Sequence, residues 1–461
     1  MSDRESRAGD SIRSRIRVTR THGVLLVATG LLVSGGAIAG CSSGIDRNVA
    51  ELPASGRSWV ATAVPDAKNL TMVSSGSGWD WPAPAVSGDG RYVAFASGVN
   101  TLLLRDAGEA VNVFVRDTVN GGLERVSNMG GRPIEHAYDP AVSADGRFVA
   151  YASSREWPDE EEDESTSTVY LYDRQTKATE LISVGLGGRL PNGSCTGVSI
   201  SGDGRFVAFE SDSSNLVSGD TNHGSDVFVR DRQQNTTQRV SVSSSGRQSN
   251  DWSWGSSISA DGRFIGFCSE ASNLVAGDTN GTEDAFVRDT VRGTTLRISV
   301  LPSGEQAKSG STGVPVLTED GGRAVFTWAS GNQVVMRDLE GGTITPVSLA
   351  PTDTVGGAGS RARFLSQVGA PSVSGDGRYV AFVAGDSGGR VFVRDMLEGR
   401  TQDVRAFSPA LERDASVECV GCAISQDGGS VVFGTNVVGV ATGGRVDWGW
   451  DTVLWRTQQA R

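Results

Sequence analysis

Hydrophobic residues in this chain fall into short runs that alternate with polar positions. The clearest run is Arg-Phe-Val-Ala-Phe at 205–209, which follows Ser-Gly-Asp-Gly at 201–204. The same nine-residue pattern recurs with little change. Ser87 to Phe95 and Ser374 to Phe382 are nearly identical, and Ser143 to Tyr151 and Ser259 to Phe267 are close variants. Thr318 to Phe326 and Ser425 to Phe433 are degenerate copies. The seven copies start at 87, 143, 201, 259, 318, 374 and 425, with steps of 56, 58, 58, 59, 56 and 51 residues. A period of this size marks a repeat architecture in which each unit is one supersecondary element.

Each unit reads as four strands. Asp-Gly is a favoured pair for a two-residue hairpin turn, because Gly accepts positive φ and Asp tolerates it. A short strand precedes the turn, and the aromatic, β-branched run follows it as the second strand. After a loop of variable length comes a third: Val-Phe-Val-Arg-Asp at 113–117, 227–231 and 391–395, with variants at 169–173, 285–289, 334–338 and 453–456. A polar turn then leads to a fourth, such as Leu123 to Ser127 or Thr237 to Ser241. Four-stranded units repeated radially are propeller blades. The last unit ends after its third strand, while residues 69–74 resemble the fourth-strand consensus. The expected fold is therefore all-β, a seven-bladed β-propeller over 69–461 with four antiparallel strands per blade. An N-terminal strand at about 69–74 would complete the last blade and hide the edges of an open ring. Recurrence of the Arg-Asp pairs and turn Asp residues in nearly every blade marks them as structural.

These Ser-x-Asp-Gly-Arg-Tyr/Phe-Val-Ala-Phe units resemble the WD-type repeats of TolB-like bacterial β-propellers over about residues 69–456. The resemblance implies the fold. It implies little about activity, because propellers host many unrelated functions. The separate N-terminal domain of TolB is not matched, so TolB's own partners do not carry over.

Composition adds a compartment. Residues 1–40 read as a targeting segment. Arg13, Arg15, Arg17 and Arg20 precede an apolar stretch from Gly23 to Ala39, and Ile38-Ala39-Gly40-Cys41 closes it. That tetrapeptide resembles the lipobox of bacterial lipoproteins. The resemblance implies lipidation of Cys41, a tether over 41–68 and a chain held at the cell envelope on the extracytoplasmic side. Contact with the membrane would run through this lipid alone. The whole chain has a net charge of −12, and the part after residue 40 carries −15. Such an acidic surface argues against nucleic acid and anionic headgroups as partners. A monomer is expected. Outside the cytoplasm disulfides are permitted, and Cys419 and Cys422 are the candidate local pair, with buried thiols as the alternative. Zinc would need a further pair or nearby His.

In a propeller, the first-to-second and third-to-fourth turns share one face. The second-to-third loops and the links between blades share the other, and here they carry the irregular sequence. Two adjacent loops match: Asp220-Thr-Asn222 with Asp226, and Asp278-Thr-Asn280 with Asp284. Oxygen ligands at alternating positions suit Ca²⁺, although the bidentate Glu of an EF-hand is missing. An Asx-turn network is the plainer reading. Trp-x-Trp occurs three times, as Trp79 with Trp81, Trp252 with Trp254, and Trp448 with Trp450. Indoles flanked by acids suit a sugar ring, a peptide or a cationic group, while their structural use would be to plug gaps between blades. The acidic run from Asp159 to Glu164 reads as a solvated insertion. No Gly-x-Ser-x-Gly elbow is present, and His136 and His223 are the only His after residue 40. The function expected is a non-catalytic binding or scaffold module for an envelope protein, peptide or glycan. The rival is a carbohydrate-active enzyme using two carboxylates on the propeller face.

Overall fold

The computed structural model describes residues 70–74, 84–98, 111–154, 166–351, 364–404, 419–435 and 451–456, apart from 135, 309, 311–312, 329–331, 367 and 386–388. These residues form seven four-stranded antiparallel sheets and one two-stranded ribbon. Six of these sheets each take their four strands from one repeat, hydrogen-bonded in chain order, and the seventh borrows its outer strand from before the first repeat. Blade 3 consists of Cys195–Ile200, Phe206–Ser211, Asp226–Asp231 and Thr236–Arg239. Blade 4 consists of Ser253–Ile258, Phe264–Ser269, Asp284–Asp289 and Thr294–Arg297. Blade 7 takes Cys419–Ile424, Ser430–Thr435 and Asp451–Arg456 from the C-terminal end and Leu70–Ser74 from the other. The closing pairs are Leu70 with Trp455, Thr71 with Leu454 and Met72 with Val453. The seam expected from the sequence is present. Among the described residues no helix is long and apolar enough to cross a membrane.

First strands of successive blades touch all the way round, blade 7 meeting blade 1, so they line the axis. Core residues sit between the sheets. Val227, Val229 and Val240 of blade 3 pack on Ile265, Phe267 and Phe286 of blade 4. Val93, Phe95 and Phe114 of blade 1 pack on Val432 and Leu454 of blade 7. In blades 1, 3, 4 and 6 the second-strand Phe stacks on the third-strand Phe directly opposite. Centroids are 5.9 Å apart for Phe209 and Phe228 and 5.5 Å for Phe267 and Phe286. Such cross-strand aromatic pairs hold the register of neighbouring strands.

The recurrent turn differs from the two-residue hairpin expected. Gly90 N–H donates to Ser87 O at 2.9 Å, while the flanking strand bond joins Ser87 N–H to Tyr92 O. Four residues therefore lie in the loop. The Ser87 hydroxyl donates to Asp89 at 2.7 Å and accepts from Tyr92 N–H, and Asp89 accepts from Arg91 N–H. Those bonds explain why Ser and Asp recur. The longer loop turns the residue after Ser toward the axis. Gly88 N–H donates to Ala144 O, Ala144 to Gly202, Gly202 to Ala260, Ala260 to Glu319, Glu319 to Gly375 and Gly375 to Gln426, at 2.8–3.0 Å. Asp427 N–H returns to Gly88 O at 3.0 Å and closes the cycle. The turn glycine has a second task beyond its positive φ. At Gly204 (φ 72°) a Cβ would overlap the Phe148 ring of the preceding blade.

In blades 2 and 3 the Asp that ends the third strand is held by the arginine of the Asp-Gly-Arg turn, 26 residues earlier. Arg147 grips Asp173 with two bonds, at 3.0 and 2.7 Å, and Arg205 grips Asp231 likewise at 3.1 and 2.6 Å. Each guanidinium also lies over the next aromatic ring, 4.5 Å from the Phe148 centroid and 4.6 Å from that of Phe206. Arg232 of blade 3 reaches the Phe148 ring of blade 2 from 4.6 Å and ties the blades together.

Candidate functional site

The two Asp-rich loops lie where the sequence puts them, before the third strands of blades 3 and 4. Asp226 is fully buried, and its oxygens meet protein donors. Ser241 donates to it at 2.5 Å, Ser249 at 2.8 Å, Gln248 at 3.1 Å and Asn222 at 3.3 Å. Arg239, from the fourth strand, pairs with Asp220 at 3.1 Å and with Asp226 at 3.3 Å. Blade 4 repeats the arrangement. Arg297 pairs with Asp278 at 3.1 Å and Asp284 at 3.4 Å, while Asn280 donates to Asp284 at 3.2 Å. Burial pushes the Asp226 carboxyl above its ordinary range, and the Ser241 hydroxyl and Arg239 pull against it. The cation among these oxygens is a guanidinium from the same chain. Among the described residues no group of three or more His, Cys, Asp or Glu is placed to hold a metal. Within each loop the two Asp carboxylates share one arginine, and the Asn amide donates to the second Asp.

A cavity of about 560 Å³ lies beside them at the junction of blades 3 and 4. Trp252 and Trp254 form one wall; two apart at the start of a strand, they point to the same side. Glu210 and Asp212 of blade 3 and Glu270 of blade 4 supply carboxylates, and His223 sits at the rim. Glu210 bridges the blades: it accepts from the Thr196 hydroxyl at 2.8 Å and from Gly255 N–H of blade 4. Trp252 is 60% exposed, so its face is available to a ligand. Its edge rests on Gly224 of the blade 3 loop, where a Cβ would lie 2.9 Å from Cδ1.

Two residues near this place hold a backbone conformation that favours glycine. His223 has φ 56°, at the position where the matching loop of blade 4 has Gly281 at 63°. Asp139 has φ 54° in the first-strand bulge of blade 2, where blades 3 and 4 have Gly197 and Gly255. The left-handed conformation costs a non-glycine residue roughly 1–2 kcal/mol. Strain of this kind collects at functional positions. Asp139 accepts from Val198 N–H of blade 3 at 2.9 Å. Burial pushes its carboxyl up, and the charge on Glu210 adds to the shift.

Trp252 and Trp254 are therefore brought together at a cavity. Trp79, Trp81, Trp448 and Trp450 lie outside the described residues, as do Cys41 and the acidic run 159–164. Cys419 is buried at the start of the first strand of blade 7, and Cys422 follows a bulge at Gly421. Burial pushes the Cys422 thiol up to about 12. Sequence reasoning missed Glu210, Asp212, Glu270 and His223. One signal was present: Glu210 follows the Phe-Val-Ala-Phe run where the other blades have Ala96, Ala152, Cys268, Thr327, Val383 and Gly434. It is the charged residue at a position that is otherwise uncharged.

No protein-family model matches the chain, and no curated protein matches it. Solved structures do match. The β-propeller domain of the Trilobed protease from Pyrococcus furiosus covers 84% of this chain and 94% of its own, at 13% identity and a TM-score of 0.49. A putative TolB from Agrobacterium tumefaciens covers 73% of this chain and 95% of its own, at 15% identity and a TM-score of 0.39. TolB from Acinetobacter baumannii matches at 17% identity and a TM-score of 0.40, over 69% of this chain and 64% of that one. The chain thus spans less than two thirds of that TolB. By its own sheet order this chain is a seven-bladed β-propeller, and TolB proteins are among its structural neighbours.

Proposed function

We propose that this propeller is a non-catalytic binding module of the cell envelope, tethered through a lipid on Cys41. Its ligand, an envelope protein, peptide or glycan, engages the face that carries the second-to-third loops. The observation behind this reading is the cavity at the junction of blades 3 and 4, where two indoles and three carboxylates converge on one opening. A concave site of a few hundred Å³ with aromatic walls and a few polar groups is the usual form of a ligand pocket. The structural use of the Trp residues accounts less well for Trp252, whose ring is more exposed than covered. Disulfide formation between Cys419 and Cys422 belongs to the same proposal, since it needs an oxidising compartment.

Two experiments test the parts separately. Intrinsic tryptophan fluorescence of the protein, titrated with envelope peptides and cell-wall saccharides, should change saturably. The change should be lost in Trp252→Ala. Membrane fractionation of the full chain and of Cys41→Ser tests the anchor: the variant should leave the membrane fraction. Product formation from a saccharide that binds, abolished by Glu210→Gln, would favour the carboxylate enzyme instead.

A further inference from the structure

We infer that the cavity between blades 3 and 4 takes an alkylammonium group, an inference that rests on the binding reading and names the chemistry of its ligand. The argument is one of charge and face. Glu210, Asp212 and Glu270 line the opening from two blades, and no Lys or Arg lines it. Among the described residues none of the three forms an ion pair with a basic side chain. Glu210 is held by a hydroxyl and a peptide N–H, neither of which cancels its charge. Glu283, next to the third strand of blade 4, has its carboxyl pushed up by burial and then by the charge on Glu270, which places a further acid close by. Elsewhere in blades 3 and 4 buried acids are matched by guanidinium groups, as Asp226 is by Arg239 and Asp284 by Arg297. At the cavity Glu210 is half-buried and Asp212 and Glu270 are exposed, so these acids face the opening with water, and no arginine, as their counterpart.

The indoles favour the same class of ligand. Carboxylates alone would suit a small metal ion, but two Trp faces occupy the wall where further oxygen ligands would be needed. An organic cation gains from both surfaces. Its charge meets the carboxylates, and its methyl or methylene groups meet the negative face of the rings. Gly224 lets the Trp252 ring settle against the blade 3 loop, so the wall is set before a ligand arrives. A neutral sugar would use the rings and leave the charge unanswered.

The test uses the full protein and tryptophan fluorescence. Choline, N-acetyl-lysine amide and 3,3-dimethylbutanol, the uncharged isostere of choline, are titrated in turn, with chitotriose as the neutral saccharide. Choline or the lysine derivative should bind at least about 10-fold tighter than dimethylbutanol. Asp212→Asn and Glu270→Gln should each weaken the charged probe about 3–10-fold at low salt, with a smaller ratio in high salt. A preference for choline over the lysine derivative points to a quaternary ammonium metabolite, and the reverse to a lysine side chain of a polypeptide. Equal binding of choline and its isostere overturns the inference. So does chitotriose binding that is lost in Trp252→Ala but unchanged in Asp212→Asn; that result leaves the binding reading standing. A fluorescence signal that no probe, envelope peptide or saccharide changes overturns both.

Discussion

Replacing Arg239 by Met should expose how much of blade 3 depends on one guanidinium. The side chain is 9% exposed and stands between Asp220 and Asp226, whose side chains are 6% and 0% exposed. At 3.1–3.3 Å each pair attracts by about 5 kcal/mol if the effective dielectric is about 20. Removing three charges from water offsets most of that gain. Truncating the cation alone leaves the offset in place, and a buried pair broken in this way costs about 3–5 kcal/mol. The hydroxyls of Ser241 and Ser249 stay to hold Asp226, which places the loss in the lower half of that range. At about 2 °C per kcal/mol the melting temperature should fall by roughly 6–8 °C in a calorimetric scan. The loss should depend on pH with a definite sign. Asp226 already has a raised carboxyl pKa, and losing Arg239 raises it further. A carboxyl whose folded pKa exceeds its unfolded value binds more protons when folded. Stability therefore falls as pH rises from about 4 through the folded pKa. The variant should be closest to wild type at about pH 4 and furthest from it at neutral pH. Millimolar Ca²⁺ should leave wild type unmoved and stabilise Arg239→Met, because the variant leaves the Asp220 and Asp226 carboxylates without their cation. A wild-type melting temperature that rises with Ca²⁺ and falls with chelator, together with a harmless Arg239→Met, would refute the reasoning.

Gly204→Ala should destabilise by about 2–4 kcal/mol, since it combines positive φ with overlap on Phe148; Gly219→Ala, at similar φ in open space, should cost about 1 kcal/mol, and urea titration separates them. His223→Gly should stabilise by up to about 1 kcal/mol while altering ligand affinity, with Gly281→His as the reverse control in the same melting assay. The hydrogen bonds from Arg91, Arg147 and Arg205 hold Asp117, Asp173 and Asp231 below the usual carboxylate range. Their stabilisation is present above about pH 4 and lost as pH falls through the folded values, so Arg147→Met should flatten the acid limb of a stability–pH curve. Thiol alkylation at Cys419 and Cys422 should require reductant in protein taken from an oxidising compartment.

The blades were legible because the same residues recur at the same offsets. Ser, Asp, Gly and the aromatic run each serve one local role, and the roles repeat. The closing strand at Leu70–Ser74 was legible too, since a missing fourth strand had to come from somewhere. The hairpin length was misread. Asp-Gly is compatible with several loops, and the choice is made by the bond that each turn forms with the next blade. The Asp-rich loops were found, yet their cation was not, because Arg239 lies in another strand and looks like part of its consensus. The cavity was half legible. Trp252 and Trp254 announce themselves by proximity in sequence, whereas Glu210 and Glu270 come from different repeats and meet across a junction. Comparing the seven repeats position by position would have singled out Glu210 and His223 as departures from their own pattern.

The bonds around the axis set a boundary condition on how the molecule can come apart. A linear stack of repeats has two terminal members, and unfolding can begin at either. In the cycle that runs from Gly88 through Gln426 and back by way of Asp427, every member has a neighbour on both sides. The first and last described strands meet in blade 7, where Leu70–Ser74 lies against Asp451–Arg456. Peeling away that strand would open the rim and still leave blades 6, 7 and 1 joined at the hub. Fraying at the seam and opening of the ring are thus separate events, and a repeat cannot be inserted or lost without breaking a closed loop of backbone hydrogen bonds between neighbouring blades.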